Sequence, residues 1–233
     1  MLRPFINYDE LRASHPAYGW VWSYAARPDV EQCIRAASFA VSGDLRRKGI
    51  DDRRICVPLM FDDDDPGDTH TRIATYTSSG VESLNERRLV LEVSAGACTI
   101  ELQGLVKDSD PETWADIPSL LSNTTEITAT DIGLYSVRFV PRFPEYRYVI
   151  TPDTTCTYSC YLVDDAADEL MYLASMMKIL EGRAGQDESV TASYARLQQD
   201  YDNAISRFVA DYQSADGTVE ENGVVTHRVR VSR

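Results

Sequence analysis

Between residues 28 and 49 apolar side chains return every three or four positions. Val30, Ile34, Ala37, Val41 and Leu45 form one stripe of a helix. Pro28 with Asp29 and Glu31 suits its start, and Arg46, Arg47, Lys48 and Gly49 suit its end. Upstream the pattern predicts a short helix near residues 8–13, then a packed loop with Pro16, Gly19, Trp20, Trp22 and Tyr24. From about Ile55 the period falls to two. Residues 88–93, 98–104, 135–140, 146–151 and 157–163 read as strands. Turn residues part them, among them Ser94-Ala95-Gly96, Asp131-Ile132-Gly133 and Thr151-Pro152-Asp153. At Asp164-Asp165 the helical period returns. Leu170, Leu173, Met177 and Leu180 make one stripe; Val190, Tyr194, Leu197, Tyr201, Ile205, Phe208 and Tyr212 make a second, ending at Asp216-Gly217. Two amphipathic helices joined by a few residues pack antiparallel, since each has one face to bury. The last residues, 224–233, alternate again as a strand with no local partner.

The pattern therefore predicts an α+β fold. A small bundle of about three main helices carries an inserted antiparallel β-sandwich-like domain and an extended C-terminal tail. The expected parts are residues 1–54 (N-terminal helical part), 55–163 (inserted β domain), 164–216 (helical hairpin) and 217–233 (tail).

Composition narrows the classes. A chain of 233 residues with 43% apolar content buries a core and is not a disordered chain. No stretch approaches the ~20 apolar residues of a membrane span, and no membrane partner is expected. Met1-Leu2-Arg3-Pro4-Phe5 offers no apolar signal region, so a cytosolic site of synthesis is expected. A net charge of −14 opposes tight phosphate binding. The five cysteines, Cys33, Cys56, Cys98, Cys156 and Cys160, read as reduced and buried. Cys156 and Cys160 share a strand face ~13 Å apart, too far for a bond or a shared metal.

Candidate chemistry is sparse. His15, His70 and His227 lie in three separate segments, in no metal-ligand spacing, and no nucleophile elbow or phosphate loop occurs. No catalytic, cofactor-binding or metal residue is predicted, and the chain is not expected to be an enzyme. The acidic run at 61–68 lacks a calcium-loop spacing and reads as a solvated loop. Tyr146, Tyr148, Tyr158 and Tyr161, with Trp114 nearby, suggest either a sugar-stacking platform or cross-strand packing. Tyr194, Tyr201 and Tyr212 are candidate subunit contacts, because tyrosine suits partly polar partner surfaces.

The run Asp29-Val-Glu-Gln-Cys-Ile-Arg-Ala-Ala-Ser-Phe-Ala-Val-Ser-Gly-Asp-Leu-Arg-Arg-Lys-Gly-Ile50 is alanine-rich and closes on a Leu-x-x-x-Gly-Ile turn. With the hairpin from Asp164 to Tyr212, it resembles the head-to-tail connector (adaptor) proteins of tailed bacteriophages. The resemblance spans about two fifths of the chain and rests on patterns. It implies a small helical bundle, many copies in a ring below the portal (dodecameric by the resemblance), and a continued DNA channel. It also implies a C-terminal tail docked on the portal, a further neck or tail protein as neighbour, and no cofactor. DNA would pass without tight binding, touched weakly at Arg46, Arg47 and Lys48. The expected location is the virion neck, with the host cytoplasm during assembly. The chain departs from compact connectors by about a hundred inserted residues of β structure. Segments such as Glu101-Leu-Gln-Gly104, Thr113-Trp-Ala-Asp116 and Gly133-Leu-Tyr135 look like decorating β domains of virion proteins.

Within the tail, Val224, Val225, Val229 and Val231 supply β-branched bulk; Arg228, Arg230 and Arg233 supply charge, with His227 between. Such a strand is completed by strand addition to another chain, the portal on this reading, or to an edge of the chain's own β domain. The alternative function is a receptor- or glycan-binding virion module with a helical stalk. A third reading, a hydrolase, predicts activity lost on changing one histidine.

Overall fold

The helical stripes and the alternating segments fold as separate units. The computed structural model describes residues 2–51, 55–58, 70–72, 76–77, 81–82, 88–107, 111–118, 125–139, 143–152, 156–163 and 167–216. The predicted tail and the acidic run at 61–68 lie outside the described residues. In chain order come α1 (Tyr8–Ser14), α2 (Arg27–Arg47), β1 (Cys56–Pro58), β2 (His70–Arg72), β3 (Tyr76–Thr77) and β4 (Val81–Glu82). Then come β5 (Arg88–Ala95), β6 (Cys98–Lys107), β7 (Thr113–Asp116), β8 (Glu126–Ala129), β9 (Gly133–Arg138), β10 (Glu145–Pro152) and β11 (Cys156–Val163), before α3 (Asp168–Glu181) and α4 (Glu188–Asp216). The fold is α+β, as the periodicities predict. Among the described residues no helix is long and apolar enough to cross a membrane.

The helical unit takes residues 14–52 and 166 onward. α2 buries Val30, Ile34, Ala37, Val41 and Leu45, the stripe legible in the sequence, plus Ser38 and Ser42. Its end is fixed by backbone chemistry. Gly49 adopts φ 81°, the Ile50 amide donates to the Leu45 carbonyl at 2.9 Å, and the Gly49 amide donates to Arg46 at 3.0 Å. Ile50 and Leu45 are both buried, which completes a Schellman closure. α3 buries more of its circumference than one stripe, with Met171, Ala174, Ser175 and Met176 inside beside Leu170, Leu173 and Leu180. Met177, expected in its stripe, is half-buried. The reason is position: α3 packs on both α2 and α4, so two faces are covered.

The β unit takes residues 53–165 and, against expectation, residues 2–13. The expected N-terminal helical part, residues 1–54, is thus divided. One antiparallel sheet runs β1-β11-β5-β9 with β2 also on β11. The other runs β3-β10-β6-β7 with β4 on β10 and β8 on β6. β5 and β6 are consecutive yet lie in different sheets, joined by a turn at Gly96, φ 73°. The inner faces meet in one core. Leu89, Leu91, Tyr158 and Cys160 come from the first sheet, and Ile100, Leu102, Tyr146, Tyr148 and Ile150 from the second.

Residues 2–13 belong here because Leu2, Phe5, Ile6 and Leu11 are fully buried. Each such side chain stabilises by roughly 1.5–3 kcal/mol relative to exposure. The segment is also pinned by polar contacts. The Arg88 guanidinium donates to the Phe5 carbonyl at 3.1 Å, to both Glu10 carboxylate oxygens at 2.7 and 2.8 Å, and to Ser136 Oγ at 2.8 Å. Asn7 and Glu10 form a reciprocal capping box at the start of α1: Asn7 Oδ1 accepts the Glu10 amide at 2.9 Å, and Glu10 Oε2 accepts the Asn7 amide at 3.1 Å.

Candidate assembly surfaces

The long helix α4 is positioned by its first turn. Asp187 Oδ1 accepts the Ser189 amide at 2.8 Å, the Ser189 hydroxyl at 2.7 Å and the Val190 amide at 3.4 Å. These donors hold the Asp187 carboxyl below the usual carboxylate range. Beyond the cap, Val190, Leu197, Tyr201, Ala204, Ile205 and Phe208 are buried. The Tyr201 hydroxyl donates to Asp44 Oδ2 on α2 at 2.8 Å. Burial and the Asp44 carboxylate push the phenol well above its ordinary value. Tyr201 is therefore spent inside the helical unit, which removes it from the predicted subunit contacts. Tyr194 is half-buried and stays on the rim; the Tyr212 side chain lies outside the described residues.

The outward faces of the flanking helices are unlike one another. On α2, Phe39 is 56% exposed, with Gln32, Arg35 and Ala36 also exposed. On α4 the face opposite the buried stripe carries Ala195, Gln199, Asn203, Ser206 and Ala210, all exposed. Sequence reading passed over Phe39. Its signal is phase: the residue falls outside the stripe of Val30, Ile34, Ala37, Val41 and Leu45, so the helix turns it away from the core. The loop ahead of α2 adds aromatics in series, His15 to Tyr18 at 6.0 Å, Tyr18 to Trp20 at 6.4 Å and Trp20 to Tyr24 at 6.0 Å between ring centroids. The Arg183 guanidinium sits 3.5 Å from the Tyr24 ring centroid.

In the β unit the tyrosine platform is overturned. Tyr146, Tyr148 and Tyr158 are fully buried and face the inter-sheet core. Tyr161 points to the other face of its sheet and is buried too; its hydroxyl donates to the Pro4 carbonyl, and Arg3 lies 5.9 Å from its ring centroid. The reason is the N-terminal segment, which covers that sheet face. The aromatic left near solvent is Trp114. Arg147 lies 4.4 Å over its ring; Arg147 Nε donates to Gln103 at 2.9 Å, and Gln103 Nε2 donates to Asp116 at 2.9 Å. This polar row crosses β10, β6 and β7 at one register, Arg147 opposite Gln103 opposite Asp116.

The remaining sequence candidates are scattered. His15 is half-buried and hydrogen-bonded to Ser14 Oγ at 2.8 Å, in the helical unit. His70 pairs with Tyr158 through the backbone of the β unit. His227 and the docking residues Val224, Val225, Arg228, Val229, Arg230, Val231 and Arg233 lie outside the described residues. Cys98, Cys156 and Cys160 are free thiols in the sandwich core, where burial raises Cys160 well above the ordinary thiol value. Cys33, on α2, is half-buried. Among the described residues no group of three or more His, Cys, Asp or Glu is placed to hold a metal ion.

No protein-family model matches the chain, and no curated protein matches it. Solved structures give partial likenesses. The SPBc2 prophage-derived protein YomS is 8% identical, with 40% of this chain and 86% of that chain covered and a TM-score of 0.29. PirA is 13% identical, with 44% and 97% covered and a TM-score of 0.28. The Drosophila melanogaster CENP-C cupin domain is 14% identical, with 53% and 94% covered and a TM-score of 0.20.

Proposed function

We propose that the chain is a structural, non-enzymatic part of a phage neck: a connector that forms a ring beneath the portal and continues the DNA channel. The observation that carries this reading is the make-up of the helical unit. α2, ahead of the β insertion, and the α3–α4 hairpin after it lie in one helical unit, α3 packing on both α2 and α4, the order on which the connector resemblance rests. The Leu45-x-x-x-Gly49-Ile50 turn of that resemblance also closes α2. The net charge of −14 suits a channel past which DNA slides without adhering.

On this reading the tail, residues 224–233, docks on the portal by strand addition, with Arg228, Arg230 and Arg233 meeting acidic groups. Portal-bearing heads incubated with the purified protein and imaged by electron microscopy test both points. A ring of many copies beneath each portal is expected, and a variant lacking residues 224–233 should keep its melting temperature and fail to attach. One or two copies per head overturns the connector reading. Normal attachment of the shortened chain overturns the docking role of the tail.

A further inference from the structure

Two cysteines far apart in the chain meet at a corner of the sandwich. The chain leaves the first sheet for the second between β5 and β6, and returns between β10 and β11. Pairing puts both passages at one end of the β unit. Cys98 stands opposite Pro152, the last residue of β10, and Thr157 stands opposite Ala95, the last residue of β5. Cys98 opens β6 and Cys156 opens β11, so each is the first inward position after its corner, one on each sheet. Both side chains are buried in the inter-sheet core. The flat parts of a sandwich keep its sheets ~10 Å apart, whereas strands that turn from one sheet into the other converge there. The two thiols are in hydrogen-bonding contact across the corner.

The other thiols are placed elsewhere. Cys160 stands opposite Leu91, two inward positions further along β11 and ~13 Å from Cys156. Cys56 pairs through its backbone with Val163, at the far end of β11. Cys33 lies on α2, in the helical unit.

We infer that Cys98 and Cys156 are a disulfide-forming pair: in an oxidising medium they bond to each other and tie the two sheets at the corner, and in a reducing one they stand as the free thiols of this structure. A bond between facing sheets is an effective staple for a sandwich core. Here it also closes the chain from β6 through β10 into a loop, which restricts the unfolded state. The inference goes beyond the connector reading and stands or falls without it.

The oxidant is a low-molecular-weight disulfide such as oxidised glutathione. One cysteine thiolate attacks a sulfur of that disulfide and expels a thiol; the second then attacks the mixed disulfide and expels the other. Two protein S–H bonds give way to one S–S bond, and the small disulfide takes up the electron pair and both protons as two thiols. The bond from Cys98 favours a thiolate at Cys156, but burial outweighs it and holds that thiol above its ordinary value. Exchange in the closed fold is therefore slow and needs the corner to open. The ladder is already interrupted there: the β5–β11 register shifts between Thr157 and Tyr158, and Gly96 takes φ 73°.

The experiment uses the full chain, unfolded in urea with dithiothreitol and refolded in glutathione buffers from fully reduced to fully oxidised, so that slow access does not limit the result. Maleimide mass tagging counts thiols, and peptide mapping without reductant names any bonded pair. All five thiols should be free in the reduced buffer. In the oxidised buffer two should be lost, with the Cys98 and Cys156 peptides joined within one chain. The joined chain should melt higher than the reduced one by roughly 5–10 °C, and dithiothreitol should remove the gain. Cys98→Ala should show no bond and no gain, and Cys160→Ala should behave as the parent. Thiols that stay free or carry only glutathione at every ratio, or a bond joining any other pair, overturn the inference; mapping of the parent reads this even if a variant fails to fold. A joined chain that melts no higher overturns the tie across the corner.

Discussion

Arg88 shows how one side chain settles where a segment belongs. It is fully buried and reaches Glu10, the Phe5 carbonyl and Ser136 from a single position at the start of β5. Removing one partner of a buried pair leaves the other charge uncompensated; because Glu10 keeps 14% exposure, Arg88→Met should cost about 3 kcal/mol, the lower end of the usual range. Urea midpoints measure it, and Arg88→Met with Glu10→Leu should recover much of the loss. Gly104 makes a second case. A Cβ there would stand 2.3 Å from the Phe143 ring and 2.9 Å from Phe143 Cβ, so the ring cannot simply swing away. Gly104→Ala should therefore destabilise by about 1–3 kcal/mol through overpacking, read as a fall in the melting temperature. Tyr201 is a pH probe. Its hydroxyl stays protonated in the fold above the ordinary value of 10.0, so its contribution is complete below that pH and is lost as pH rises beyond it. The advantage of the parent over Tyr201→Phe, about 1 kcal/mol at neutral pH for one buried hydrogen bond, should vanish in alkaline denaturation curves.

At the scale of elements, caps decide where helices begin and end. Asp187 stands fully exposed, yet it accepts two amides and a hydroxyl at the start of α4. Its carboxyl is held low, so the cap persists above the ordinary aspartate range and is lost as pH falls through the depressed folded value. Asp187→Ala should lower the melting temperature at neutral pH and make no difference in strong acid. Equal melting of the two proteins at neutral pH would remove the cap from the account. α2 ends for a different reason: Gly49 takes a positive φ that side chains resist, and Ile50 folds back toward Leu45.

At the scale of the whole molecule, the chain passes between the two units near residues 13, 52 and 165. A helical bundle freed of the β unit must therefore lose more than the insertion. Replacing residues 56–162 alone strands Leu2, Phe5, Ile6 and Leu11 in water, since all four are buried in the β unit. That variant should aggregate. Removing residues 2–13 as well should yield a soluble helical protein with a cooperative thermal transition by circular dichroism. An unfolded product from the second variant would show that the helical unit does not fold alone.

The sequence by itself determined the elements. Val30 to Leu45 and Val190 to Phe208 repeat at the helical period, and the segments from Arg88 to Val163 alternate, because backbone geometry fixes which positions share a face. The end of α2 was legible for the same reason, because Gly49 acts on its own turn; the Asn7–Glu10 cap, equally local, was established by the structure. Tertiary structure decided everything that depends on partners distant along the chain. Whether Tyr146 and Tyr148 faced solvent or core turned on which side of their sheet the second sheet packed. Tyr161 was buried by residues more than a hundred and fifty positions away, and residues 2–13 joined the β unit through Arg88. The candidate site divides likewise. The stripe that buries Tyr201 is local, but its bond to Asp44 is not; Phe39 is exposed because its phase sets it outside the stripe that α2 buries. Periodicity names the face of an element that is buried; only long-range packing chooses what covers it.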